Sequence, residues 1–300
     1  MDAEPARDAT VSAAIELRRP NRRTVPLVLT SPHSGSAYTK EFLAASRLDP
    51  LSLRRSEDSF VDELFAATPK LGAPLLAAQF PRAYLDVNRE AWELDPAMFA
   101  DALPPFVNAY SPRVRMGLGT IARIVASGDE IYARKLRFEE AKQRVEELYH
   151  PYHQTLRRLL DETAARFGGY LLIDCHSMPS AAGSSDGADI VLGDCHGASC
   201  AGSLRDAALR HLVGRGFTVA LNAPYAGGFT TDHYGRPNLG RHALQIEINR
   251  ALYMNERSFE RKPSFAGLAE EMAALVRRLA EAAEEWLTET ASPTAAAADD

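Results

Sequence analysis

Three apolar runs of this chain each end in a residue able to bind a metal or move a proton: Val28-Leu29-Thr30-Ser31-Pro32-His33, Leu171-Leu172-Ile173-Asp174-Cys175-His176 and Leu244-Gln245-Ile246-Glu247. Short apolar runs read as buried strands, and in α/β sheets ligands collect just past the carboxyl ends of strands. Two imidazoles and a carboxylate brought to one place would make a site able to bind a metal or move a proton, and an enzyme is the first hypothesis. Each residue also has a plain alternative. His33 and His176 could be hydrogen-bonded structural histidines, and Glu247 could pair with Arg241 or Arg250 in a buried salt bridge. Glu247 is the sharpest of the three, because a carboxylate among Leu244, Ile246 and Ile248 is costly unless paired or partly solvated. Such surroundings raise its pKa toward the range that suits a general base.

A catalytic zinc takes three protein ligands and keeps one open position, so a carboxylate should complete the set. The pair Glu57-Asp58 is the best source, with capping of a helix N-terminus as the alternative. Asp174 is placed to receive the second ring proton of His176. Arg82 and the cluster Asp86-Val87-Asn88-Arg89 suggest an anionic substrate, since an arginine fork grips a carboxylate through two parallel hydrogen bonds. The alternative is surface ion pairing with Asp86, Glu90 or Glu93. Residues 225–235 read as a loop in which the backbone of Gly227 and Gly228 could approach a substrate oxygen and His233 could take part in catalysis. His242, five residues before Glu247, could orient a group in the same site. Two rival clusters are weaker: His150 with His153, interrupted by Pro151 and flanked by aromatic residues, reads as packing, and Cys195-His196 with Cys200 matches no common zinc spacing. A thiol hydrolase using Cys175 is a further alternative.

The elements that must position these groups are apolar runs near 25–31, 74–80, 83–87, 170–175, 188–192, 217–221 and 243–249, alternating with segments of helical period. This alternation predicts an α/β architecture of three layers, a mixed, mostly parallel sheet with helices on both faces. A helix is expected over about 137–166, bent or divided at Pro151 and stopped by Gly168-Gly169, and another over about 264–289. Residues 92–128, rich in proline and glycine, read as a long functional loop or lid. Residues 1–20 are expected to be a mobile segment, 21–290 a single catalytic domain and 291–300 a disordered tail.

At 300 residues the chain can bury a large core. The net charge of -6, with both signs interspersed, leaves no basic surface for a nucleic acid. The N-terminus lacks the regions of a signal peptide and no segment is apolar for the length of a membrane span, so a cytoplasmic protein with no membrane partner is expected. Three cysteines make no disulfide framework.

Taken together, the motifs resemble the N-formylglutamate amidohydrolase family. The matching segments are SPHSG at 31–35, EDSFVDELF at 57–65, PRAYLDVNR at 81–89, DCHSMPS at 174–180, DIVLGD at 189–194, PYAGGF with DHYG at 224–235, and HALQIEINRALYMNE at 242–256. The resemblance implies a zinc-exopeptidase-like fold binding one Zn2+ or another divalent ion, and hydrolysis of N-formyl-L-glutamate to formate and L-glutamate, a step of histidine breakdown. It assigns His33 and His176 to the metal, Glu247 to catalysis and Asn88-Arg89 to the substrate carboxylate. For the third ligand it favours Asp58 over Glu57. The acidic pair, residues 94–96 and the Cys195-His196 segment look more like the broad family than its deformylase branch. Another N-acyl amino acid or a small peptide is therefore an alternative substrate, and a non-catalytic carboxylate-binding protein an alternative function.

Overall fold

The computed structural model describes residues 10–12, 14–180 and 187–291. Eight strands form the main sheet: β1 (Thr10–Ser12), β2 (Ile15–Arg18), β3 (Leu27–Ser31), β4 (Leu75–Ala78), β5 (Tyr170–Met178), β6 (Ile190–Gly193), β7 (Val219–Leu221) and β8 (Arg241–Asn249). Their order is β1-β2-β4-β3-β5-β8-β6-β7. β4, β3, β5 and β8 run parallel, whereas β2 and β6 join them antiparallel. This is the mixed, mostly parallel sheet that the alternation of runs predicts.

The central strands are continuous apolar runs because both faces are covered. Successive side chains point to opposite faces, and the two cores divide the strands accordingly. Val28, Leu76, Leu172 and Ala243 pack with Tyr152, Leu156 and Leu159 of the helix His150–Phe167. Leu29, Ile173, Leu244 and Ile246 pack with Leu204 and Leu212 of the helix Gly202–Gly214 and with Met272, Leu275 and Leu279 of the helix Phe265–Ala291. Each fully buried leucine contributes roughly 1.5–3 kcal/mol.

The expected interruption at Pro151 takes a specific form. The helix Phe138–Arg144 passes through a π turn, Val145–Tyr149, into the helix His150–Phe167. The wider turn ends two residues before Pro151, which has no N–H to donate. Gly168 then ends the helix in a left-handed conformation, φ 84°.

Two expectations need correction. Residues 83–87 form turns rather than a strand, because Pro81 opens a turn whose carbonyl receives the N–H groups of Tyr84 and Leu85. Leu85 and Val87 are apolar because they fill the core without joining the sheet. The segment expected to be mobile up to residue 20 supplies β1 and β2, and β2 pairs with β4 through Ile15 to Arg18. Residues 1–9 and 292–300 lie outside the described residues. Among the described residues no helix is long and apolar enough to cross a membrane.

His153 is a structural histidine with a measurable consequence. Its Nε2 lies 2.8 Å from the Val87 carbonyl and its Nδ1 2.9 Å from the Tyr234 hydroxyl. Burial, reinforced by the charges of His233 and Arg157, pushes its pKa down to about 4. Unfolding restores a value near 6.5, so the unfolded chain binds the extra proton between those values and stability is lost as pH falls from about 6.5 to 4. This histidine accounts for about 3 kcal/mol of that loss. Chemical denaturation of His153→Gln and the unsubstituted protein at pH 7 and pH 4.5 should show the smaller pH dependence in the variant.

Candidate active site

β3 and β5 are parallel neighbours with Thr30 opposite Asp174, and β5 and β8 are parallel neighbours with His176 opposite Glu247. This register brings the ends of the three chemistry-bearing runs together. Pro32 ends β3, and the turn after it packs tightly on the chain following β4: a Cβ on Gly35 would lie 2.3 Å from the Phe80 carbonyl oxygen. The backbone N–H of Asp58 donates to the His33 carbonyl at 3.0 Å, which draws the acidic pair to the same sheet edge.

His33, Asp58 and His176 offer one ligand atom each, and these atoms all lie within 4.8 Å of one another. The Nδ1 of His176 is 3.0 Å from Asp58 Oδ2, and the Nδ1 of His33 is 3.4 Å from the same oxygen. His33 Nδ1 is buried yet has no hydrogen-bond partner. A buried ring nitrogen left open beside a carboxylate and a second imidazole suits a divalent ion with nitrogen and oxygen ligands, which is how these residues fit zinc.

The far side of each of these three candidate ligands has a polar partner, as the supporting groups of metal ligands usually provide. His33 Nε2 meets Asp86 Oδ1 at 2.7 Å, and His176 Nε2 meets Asp174 Oδ2 at 3.0 Å. Thr30 donates to the other oxygen of Asp174, and Arg250 Nη2 lies 2.9 Å from Asp58 Oδ1. Burial raises the Asp86 carboxyl, but Arg89, His33 and Arg82 together hold it well below the usual carboxylate range. Asp58 is also held low against its burial, by His176 and His33.

Glu247 faces the same cavity and is only 6% exposed. It accepts a hydrogen bond from Gln245 Nε2 at 2.8 Å and makes no ion pair with Arg241 or Arg250 among the described residues. Burial, with Asp58 adding to it, pushes its pKa up to about 7 against the opposing charges of His176, Arg82 and Arg250. That is the value at which a carboxylate can both take and return a proton near neutral pH.

The cavity, of about 530 Å³, is also lined by Arg82, Asn88, Arg89, Gly227 and Gly228. Arg82 uses Nε on Asp86. Arg89 is fixed by bonds from Nε to the Leu118 carbonyl and from Nη1 to the Asn88 carbonyl, and burial pushes its pKa down to about 10. Asn88 accepts from the Thr230 N–H at 2.8 Å, while its Nδ2 lies 3.1 Å from His176 Nε2. Gly228 donates its N–H to Gln245, and a Cβ added there would fall 2.3 Å from Asn88 Nδ2. Gly228→Ala should therefore displace the Asn88 amide and lower turnover by about a hundredfold. Activity assays together with an unchanged thermal midpoint would distinguish this from misfolding.

Three residues singled out from the sequence lie elsewhere. Glu57 turns away from Asp58: Tyr38 and Ser59 donate to its carboxylate at 2.7 and 2.6 Å, and Arg54 Nε sits 3.1 Å away. His233 stacks on Phe229, with Nε2 3.4 Å from Arg157, and does not line the cavity. His242 accepts from the Ala201 N–H and packs edge-on against Trp286. Five residues along a strand is an odd number, so His242 points to the face opposite Glu247 and lies about 16 Å along β8.

Cys175 alternates with Asp174 and His176 and therefore enters the core on the other face, where burial holds its thiol well above the ordinary range. This speaks against a thiolate nucleophile. Cys195 lies against Gly227 behind the cavity wall, and Cys200 is buried. His153 packs as described above.

Several contributors escaped sequence reasoning. Gln245 could have been found from strand period, two residues before Glu247 on the same face. Asp86 as the partner of His33, and Arg250 as the partner of Asp58 rather than Glu247, carry no local signal. Neither do Arg55 and Arg113, which line the cavity from separate segments.

The sequence pattern of the N-formylglutamate amidohydrolase family matches residues 25–254. The chain is similar to an N-formylglutamate deformylase of Pseudomonas aeruginosa, 31% identical over 274 residues that cover 88% of this chain and 95% of that protein. It is also similar to an N-formylglutamate deformylase of Pseudomonas putida, 30% identical over 77% of this chain and 83% of that one. Its fold superimposes on a crystal structure of N-formylglutamate amidohydrolase from Ralstonia eutropha JMP134 with a TM-score of 0.86 and 38% identity, covering 91% of this chain and 99% of the other. An Agrobacterium tumefaciens gene product shares the fold, with a TM-score of 0.61 and 20% identity over 92% of this chain and 96% of that one. A match along most of the chain, at this identity and with this fold, makes it a member of the N-formylglutamate amidohydrolase family and an enzyme acting on an amide bond.

Proposed function

We propose that this enzyme hydrolyses N-formyl-L-glutamate to formate and L-glutamate, with one zinc ion held by His33, Asp58 and His176. The observation that carries the reading is Glu247, buried with a raised pKa and facing the cavity onto which the His33, Asp58 and His176 group opens. The names of the Pseudomonas relatives support the substrate.

A zinc ion in this donor set supplies Lewis acidity to the amide oxygen and acidity to a water. Glu247 takes a proton from the attacking water and returns it to the leaving amine nitrogen, so one water is consumed and an acid and an amine are formed. Such proton transfer typically contributes 10²–10⁴-fold. Gln245 orients the carboxylate through its 2.8 Å bond. Asp86 and Asp174 hold the imidazoles in the tautomer that leaves Nδ1 free. Arg89, with its remaining N–H groups, holds the substrate α-carboxylate and aligns the amide, and Arg82 contributes positive charge beside Glu247.

The test is release of the free amino acid by the purified enzyme from formyl, acetyl and succinyl derivatives of glutamate, aspartate and neutral amino acids, before and after chelation. Hydrolysis of N-formyl-L-glutamate above the others, lost on chelation and restored by zinc, is expected. Preference for another acyl group moves the assignment to a different N-acyl amino acid, and undiminished activity in a metal-free preparation overturns the metal.

A further inference from the structure

The cavity carries more arginine than its own acids use. Arg55, Arg82, Arg89, Arg113 and Arg250 line it, against the carboxylates of Asp58, Asp86 and Glu247. Arg250 is committed to Asp58 and Ser177, Arg82 to Asp86, and Arg89 to Asp86 and two carbonyls. The guanidinium groups of Arg55 and Arg113 have no hydrogen-bond or ion-pair partner among the described residues.

Of these two, Arg113 is tied to the substrate grip. It lies on the short helix Pro112–Arg115, fastened by buried Val114 and by a cap from the Ser111 hydroxyl to the Val114 N–H. The Arg113 carbonyl accepts from the Leu118 N–H at 2.8 Å, and the Leu118 carbonyl accepts from Arg89 Nε at 2.9 Å. One residue thus links the two arginines, and the charge of Arg113 acts on Arg89 to lower its pKa. Two cations face one cavity with no acid assigned to the second. The same segment adds Met116, Leu118 and Ala122 to the wall, apolar surface suited to methylene groups.

We propose that Arg113 is a specificity-determining residue that binds the side-chain carboxylate of the substrate amino acid, while Arg89 holds the α-carboxylate. The enzyme then selects dianionic N-acyl amino acids over neutral ones. This rests on the function proposed above. Arg55 lies in a different segment, at the end of the helix Pro50–Arg54, and serves as the control.

The experiment compares N-formyl-L-glutamate with N-formyl-L-glutamine, which has the same shape but no side-chain charge. The zinc-loaded unsubstituted enzyme, Arg113→Gln, Arg113→Lys and Arg55→Gln are assayed. Arg113→Gln should lower the glutamate-to-glutamine ratio of kcat/KM by about ten- to a hundredfold, mainly through KM, as expected for loss of a charged hydrogen bond. Arg113→Lys should recover part of it, and Arg55→Gln should leave the ratio as it was. An unchanged ratio in Arg113→Gln, or a collapse in Arg55→Gln instead, overturns the proposal. Competitive binding of L-glutamate and L-glutamine to the same proteins separates the two readings. If neither formyl substrate is cleaved, the proposed reaction fails, yet loss of a glutamate preference in Arg113→Gln would still support the role of Arg113. Equal binding of both amino acids by all variants would overturn it.

Discussion

Glu247→Gln should keep one zinc per chain, lose 10²–10⁴-fold in turnover and become more stable. The amide has the shape of the carboxylate and can still accept from Gln245 Nε2, so the local packing of β8 is preserved. It is too weakly basic to accept a proton from water and so has none to return, which would remove the proposed proton transfer while leaving the His33, Asp58 and His176 group intact. The stability gain follows from the pKa. A carboxyl raised by burial from 4.5 to about 7 favours the unfolded chain increasingly as pH rises through that window. Above it, the ionised group costs the fold about 3 kcal/mol, a cost the neutral amide does not carry. Denaturation of chelated proteins at pH 8 should show the variant as the more stable, and metal analysis with single-substrate kinetics supplies the other two readouts. Retained turnover, or loss of zinc from the variant, would remove Glu247 from its assigned role. Loss of activity with higher stability is the signature of a residue kept for catalysis at the expense of the fold.

The second large effect separates two adjacent acids. Asp58→Ala should abolish stoichiometric zinc and activity together, because it removes a proposed ligand atom and leaves Arg250, itself 6% exposed, without its carboxylate. The loss in metal affinity should exceed the 10–100-fold typical for removal of a supporting group. Glu57→Ala should retain zinc, since its carboxylate serves Tyr38, Ser59 and Arg54. It should instead lose about 1–3 kcal/mol of stability through those stranded donors. Metal content by mass spectrometry and denaturant midpoints on both variants decide the matter. Zinc lost from Glu57→Ala and kept by Asp58→Ala would reverse the assignment.

The contrast between these neighbours shows where local information ends. Glu57 and Asp58 differ by one methylene and one position, and nothing in their flanking residues says which one turns inward. The choice is made by the bond from Asp58 N–H to the His33 carbonyl and by Arg250, which lies 192 residues away in sequence. His242 and His233 illustrate a different limit. Nearness in sequence to Glu247 does not place a histidine in the site: strand period sends His242 to the opposite face, and stacking on Phe229 keeps His233 out of the cavity. The run at 83–87 read as a strand because burial alone makes a segment apolar. Whether that segment then pairs depends on Pro81 and on the Thr120 carbonyl that receives the Asp86 N–H.

By itself the sequence determined the alternating α/β architecture, the parallel central strands and the three runs that end in His33, His176 and Glu247. Those features rest on the periodicity of apolar residues and on breakers such as Pro32 and Gly168, which act over a few residues. The tertiary structure alone decided the register that sets His176 opposite Glu247, the partnering of His33 with Asp86, the inward turn of Asp58 and the delivery of Arg113 beside Arg89. Each of these depends on contacts between distant segments, whose geometry is fixed only when both faces of the sheet are packed.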